Sequence, residues 1–207
     1  FCIMKKLFFT VLVSVFCVFV ANAQSVSQWN YIKGAAAINS ATADGGSEYI
    51  TNHGGWDLLL GHAKKFSDMD LYYGIEYGIG SRGFCIEVLG NELASSWAGN
   101  IKASPMIGYK YDFDNGLSID GHAGYFASYD LFGNVTVLTE SRNIWSKDVD
   151  DYNHFDNGIR LGAGVWYENF LLDFTWQRGF INYYKAYNTN ANKVNSNSFI
   201  IGLGYRF

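Results

Sequence analysis

Nine ionisable side chains could carry chemistry in this chain: Glu76, Arg82, Lys102, Lys110, Asp120, His122, Arg160, Asp173 and Arg206. Each falls on the polar parity of a segment in which every second residue is apolar. Both signs are present, so the set could line an ion path, hold a small polar ligand, or pair with itself. Burying a charge without a partner is too costly to sustain. A salt-bridged network that plugs a narrow lumen is therefore expected, with Asp120 and Asp173 each meeting a Lys or Arg across it.

Other residue patterns are weaker. His53, His62, His122 and His154 are scattered, and no pair has metal-ligand spacing on one element. The acidic stretch DVDDYNHFD, residues 148–156, lacks the Gly and the closing Glu of a calcium loop. Gly78-x-Gly80-x-x-Gly83 has the letters of a dinucleotide fingerprint, but it lies within an alternating strand and opens no helix. Ser128 and His122 share one segment, and no third residue completes a nucleophilic set. Asn134-Val-Thr136 fits a glycosylation acceptor by letters alone. No catalytic residue, metal site or cofactor is expected, and the chain is read as a non-enzyme.

The elements that must position the nine charges are strands. Alternation marks residues 71–82, 101–111, 117–127, 159–167, 170–176 and 199–207, and less cleanly 29–39 and 56–66. In the last of these in chain order, FIIGLGYRF, Phe199, Ile201, Leu203, Tyr205 and Phe207 form one face and Ile200, Gly202, Gly204 and Arg206 the other. Short connections such as Ser67-Asp68-Met69, the Asn115-Gly116 turn and Glu168-Asn169 alternate with long ones. That rhythm, with an even strand number, fits an eight-stranded antiparallel up-and-down transmembrane β-barrel. The polar face is rich in glycine, which a narrow interior requires, while the apolar face carries Tyr, Trp, Ile and Leu suited to lipid.

Composition agrees. Charged residues make up 16% and aromatic residues 18% of the 207 residues, an ordered and strand-rich balance. Lys5 and Lys6, the apolar run 7–20 and Ala21-Asn22-Ala23 read as a secretory signal peptide over residues 1–23, cleaved before Gln24. Residues 1–3 precede the expected start at Met4, and Cys17 inside the apolar run is not read as a lipidation site. Residues 24–207 form the barrel domain. Without residues 1–23, 13 basic side chains face 19 acidic ones, a net charge of −6. That balance gives no footprint for nucleic acid. Cys85 is then the lone thiol, so no internal disulfide is expected.

The segments at residues 55–84 and 101–125, the tail from Asp156 and the closing FIIGLGYRF resemble the small eight-stranded outer-membrane protein β-barrel domain family, the PorT-like group of gram-negative bacteria. The first strand, Ala-rich and polar, departs from that pattern. The resemblance implies an outer-membrane monomer with both termini periplasmic and long loops outside, bound to the lipid bilayer and to lipopolysaccharide. By resemblance to outer-membrane proteins generally, Phe199, Ile201, Leu203, Tyr205 and Phe207 would also form a C-terminal signal for the assembly machinery. A structural or surface-interaction role through the outer loops is the expected function. A narrow channel and a lipid-modifying enzyme are the alternatives. The third outer loop, residues 128–156, offers Tyr129, Phe132, Trp145 and Tyr152 as contacts for an extracellular ligand.

Overall fold

The computed structural model describes residues 28–43, 50–66, 69–89, 91–149, 151–184 and 193–207. The signal peptide expected over residues 1–23 lies outside the described residues. Among the described residues ten strands follow in order: β1 (Gln28–Ala43), β2 (Ile50–Thr51), β3 (His53–Lys65), β4 (Leu71–Val88), β5 (Asn91–Asp112), β6 (Leu117–Val137), β7 (Glu140–Asn143), β8 (Phe155–Tyr167), β9 (Phe170–Asn182) and β10 (Val194–Arg206). A single 3-10 turn, Lys147–Val149, lies between β7 and β8. Eight strands pair antiparallel with their neighbours in the ring β1-β3-β4-β5-β6-β8-β9-β10. The ring closes between β1 and β10, from Tyr31 opposite Arg206 to Ala43 opposite Val194. No edge is left along the barrel wall, as a chain in hydrocarbon requires.

Each of the eight segments expected from alternation forms a strand, with Phe66 and Phe207 falling one residue past the ends of β3 and β10. The faces divide as the parity indicates: Phe170, Leu203, Ile107 and Phe199 are exposed outward, while Lys33, Glu76, Arg160 and Asp173 are buried inward. This inverts a soluble protein, whose apolar side chains turn in. The interior is tight. A Cβ at Gly61 would sit 2.1 Å from the Tyr31 ring, and one at Gly108 would sit 2.4 Å from the Tyr72 ring. These two glycines leave the space that the two lumen tyrosines fill.

One end of the barrel carries tight turns. Phe113 N–H donates to Leu117 O at 2.8 Å, and Gly116 adopts φ +79°, a conformation glycine accepts freely. The other end carries long hairpins, and here the structure corrects the sequence reading. Residues expected to form long loops are mostly strand. β4 runs on to Val88 and β5 begins at Asn91, with Leu89 in a turn, and β6 runs on to Val137 before β7 folds back onto it. The segment 128–156 is thus an ordered hairpin followed by a short crossing, not an irregular loop. Alternation was lost to view there because β6 is bulged. Gly99 pairs with Phe132 but Asn100 pairs with Asp130, so Leu131 is extra. Leu131 and Phe132 both face outward, and the parity inverts beyond them.

Close packing of the lumen yields a test. Gly61→Val places a branched side chain where the Tyr31 ring lies, and overpacking of this kind costs roughly 1–3 kcal/mol. Gly34→Ala is the control, because nothing lies within 4 Å of its Cβ. Folding into lipid vesicles, read as heat-modifiable electrophoretic migration, should fall for Gly61→Val and not for Gly34→Ala. Equal yields would refute the packing argument.

Candidate functional site

The lumen is filled in three layers. The middle layer is ionic. Lys33 on β1 sits between two carboxylates, with Nζ 2.5 Å from Glu76 Oε1 and 2.9 Å from Asp173 Oδ1. Arg160 on β8 approaches the other oxygen of Glu76 at 3.1 Å and donates to Ser104 Oγ at 3.0 Å. Tyr31 OH donates to Glu76 at 2.8 Å, and Thr175 Oγ1 donates to Asp173 at 2.8 Å. His122 Nδ1 lies 2.9 Å from Asp120 Oδ1, with its Nε2 3.6 Å from Asp173 Oδ2. Lys102 meets Asp57 at 2.5 Å. Lys33, Asp57, Glu76, Lys102, Asp120, Arg160 and Asp173 are all buried, so their charges are weakly screened and each depends on its partner.

The layer at the turn end is aromatic. Trp29, Tyr31, Tyr72, Met106, Trp166 and Leu171 form one apolar cluster. Trp166 Nε1 and Tyr72 OH both donate to Asp120, at 3.0 and 3.3 Å. Lys110 lies over the rings of Trp29 and Trp166 and pairs with Asp112. At that mouth burial opposes ionisation of Asp112, yet hydrogen bonds from Lys110, Lys65 and Ser118 outweigh it. They hold the carboxyl well below its usual range.

The layer at the hairpin end is a clamp. Arg82 Nη2 donates to Asp130 Oδ2 at 2.7 Å and to Asn153 O at 2.6 Å, and Nη1 is 3.2 Å from Asp156. Its guanidinium stands 4.6 Å from the Tyr183 ring centre. Tyr152 OH donates to Asp130 at 2.8 Å. Around this clamp Phe84, Ala98, Val135, Ile144, Tyr152 and Tyr183 make a second apolar core, lying above the ionic layer.

The structure brings Glu76, Asp120, His122, Arg160 and Asp173 into the ionic layer, with Lys102 beside it. Arg82 and Lys110 lie in the layers above and below. Arg206 departs from expectation. It is half-buried at the turn-end mouth, where it donates to Asn169 Oδ1 and Glu168 O rather than to a lumen acid. Asp120 departs too, since its partners are His122, Trp166 and Tyr72 and no Lys or Arg, whereas Asp173 does meet Lys33. Sequence reading missed Lys33, Asp57, Asp130 and Asp156. Lys33 was hidden because the outward face of β1 is weakly apolar. Asp130 and Asp156 continue the inward parity of Asp120 and Arg160, and carrying the count past Ala127 and back before Ile159 would have found them.

Of the four expected loop contacts, Tyr129, Phe132 and Trp145 are exposed. Tyr152 is fully buried in the clamp and offers no surface, because the segment folds over the lumen instead of standing free. Trp145 stacks on the His154 ring at 3.8 Å and donates from Nε1 to Leu131 O. Phe132 meets Trp97 at 5.7 Å between ring centres. Ser128 and His122 lie six residues apart on β6, about 20 Å at strand rise, too far for one to activate the other. Among the described residues no group of three or more His, Cys, Asp or Glu is placed to hold a metal ion.

The ionic layer predicts its own weak point. Lys33→Met leaves Glu76 and Asp173 facing one another without their shared cation, a loss of about 3–5 kcal/mol. Adding Asp173→Asn should recover part of it. Urea unfolding of the vesicle-inserted protein measures both, and a single variant as stable as wild type would contradict this role for Lys33.

No helix among the described residues is long and apolar enough to cross a membrane. The strands provide the crossing surface. The outer membrane protein beta-barrel domain matches residues 8–207 of the chain. No curated protein matches. Similar solved structures include the Neisserial surface protein A, NspA, at 14% identity over 86% of this chain and 97% of that one, with a TM-score of 0.48. The attachment invasion locus protein Ail of Yersinia pestis is 16% identical over 87% of this chain and 99% of that one, TM-score 0.45. OprG of Pseudomonas aeruginosa is 13% identical over 89% and 97%, TM-score 0.46. With a closed ring of eight strands, an apolar exterior and a family match over nearly its whole length, the chain belongs to the outer membrane protein β-barrel domain family and resides in the outer membrane.

Proposed function

We propose that this protein is a sealed outer-membrane barrel that acts at the cell surface through its hairpins. The carrying observation is the pairing of a filled lumen with an ordered projection. Three layers of buried side chains occupy the interior, while β4, β5, β6 and β7 continue together beyond the barrel wall. Building so much hydrogen-bonded strand outside the membrane suits a rigid contact surface better than a solute path. On this reading the tight turns and both termini face the periplasm and the hairpins face outward. Tyr129, Phe132 and Trp145 then stand where the barrel meets lipopolysaccharide.

The protein works as a monomer on this reading and catalyses no reaction, and the PorT-like group is its affiliation within the family. The outward face of β10, Phe199, Ile201, Leu203 and Tyr205, with Phe207 just past the strand, serves as the surface that the assembly machinery engages.

Planar-bilayer recordings test the sealed lumen: wild-type protein should leave the membrane silent, and stable single-channel steps would establish a channel instead. Attachment of whole cells to immobilised glycans and proteins tests the surface role. Shortening the hairpin tips at residues 87–92 and 136–141 should abolish attachment while the barrel still inserts. Undiminished attachment would remove the hairpins from the function. Thin-layer analysis of lipid A with and without the protein should show no new species. A new species would identify a lipid-modifying enzyme.

A further inference from the structure

The apolar belt that meets lipid is uneven around the barrel. On β1 it runs from Ile32 to Ile38 and on β10 from Phe199 to Tyr205. Six residue steps at ~3.4 Å, foreshortened by a strand tilt of ~40°, give about 16 Å of membrane depth. On β3 it runs only from Trp56 to Leu60, about 10 Å on the same arithmetic. On β6 it runs from Ile119 to Leu131 and on β8 from Phe155 to Tyr167, about 31 Å each. On β5, from Trp97 to Tyr111, it is longer still. β4 and β9, which separate these groups in the ring, are intermediate, with Leu71 to Ile79 and Phe170 to Phe180. The belt is thus short over β10-β1-β3 and tall over β5-β6-β8, with a graded change between.

Tilting the barrel moves both ends of every belt together. It cannot make one belt half the length of another. A uniform hydrocarbon layer of about 25 Å would bury polar groups on one face or expose apolar rings on the other. The residues that bound the short belt indicate what meets it. Above lie Ser40 and Thr42 on β1 and Asn195 and Asn197 on β10, uncharged and partly exposed. Below, on the outward parity, the partly exposed His62 pairs with the buried Asn30 at 2.7 Å. Trp56, 40% exposed, caps the belt on β3. An aromatic rim with small polar neighbours is the side-chain chemistry of the lipid headgroup zone.

We propose that the β10-β1-β3 face binds a locally thinned bilayer, its headgroups drawn in to the level of Trp56, Ser40 and Asn197, while the β5-β6-β8 face stands in bilayer of full thickness. Mismatch of this kind is accommodated by thinning beside a short span. The ligand of the short face is lipid. The proposal rests on membership in the outer-membrane family and not on the surface role of the hairpins.

Spin-label depth measurements test it. The full chain, with its three cysteines changed to serine, receives one nitroxide at Ser40→Cys or at Ala127→Cys and is placed in phosphatidylcholine vesicles. Both sites lie eight steps above the turn-end edge of the belt, on the short and tall faces. The Ser40 label should have at least a severalfold higher ratio of nickel-chelate to oxygen accessibility than the Ala127 label. Equal ratios would overturn the proposal. So would a Ser40 label shielded from both reagents, the signature of a protein partner or second copy on that face. A second measurement does not depend on labels. Ser40→Leu with Thr42→Leu lengthens the short belt, and the optimum acyl chain length for folding should move to thicker bilayers than for wild type. An unchanged optimum would also overturn it.

Discussion

The barrel depends first on the pairing of β1 with β10. In hydrocarbon an unpaired backbone N–H or C=O has no water to turn to. Thirteen paired positions, from Tyr31 opposite Arg206 to Ala43 opposite Val194, remove the last edge. Once the ring is closed, a parity is imposed on every strand. Each residue faces either lipid or a lumen too narrow for water to fill freely. Glycines and polar side chains turn in, and large apolar ones turn out. The inverted composition of the faces follows from closure and needs no further cause.

Closure also accounts for the ionic layer. Inward positions are desolvated, so any charge placed there must be met from another strand. Among the described residues, five buried cations, Lys33, Arg82, Lys102, Lys110 and Arg160, face six buried carboxylates, Asp57, Glu76, Asp120, Asp130, Asp156 and Asp173. The balance is close, so little net field remains to draw one sign of ion inward. Lys33 joins β1 to β4 and β9, Arg160 joins β8 to β4 and β5, and Arg82 joins β4 to β6 and β8. These cross-lumen links specify which strands stand opposite one another, a role attested for buried polar groups elsewhere. A lumen used this way is an internal skeleton for the hairpins above it.

The barrel is not symmetric about its axis. β5 and β6 are 22 and 21 residues long, while β3 has 13. β5 and β6 carry both a tall lipid-facing belt and the projection beyond the wall, while β8, with 13 residues, carries a tall belt alone. On β10, β1 and β3 small polar residues stand at depths where β5, β6 and β8 carry apolar ones. Strand length sets the projection beyond the wall, and the residues on the outward parity set the height of the belt.

Sequence alone determined the eight strands of the ring, the alternation and the membrane character, because a period of two is local and each of these strands displays it without its neighbours. It also marked Glu76, Arg160 and Asp173 as inward, since parity is read along one strand. It left the partners open: Lys33 meets Asp173 across 140 positions of chain, a relation that only the curvature of the closed ring creates. Tyr152 shows the same limit. Its aromatic type suggested surface contact, but the fold places it under the hairpin against Asp130 and Arg82. The extent of β5 and β6 was hidden by one extra residue at Leu131, which inverts parity locally and reads as the end of a strand. Periodicity is local and legible. Register, bulges and what stands across a lumen are set by pairing between distant segments, and only the tertiary structure decides them.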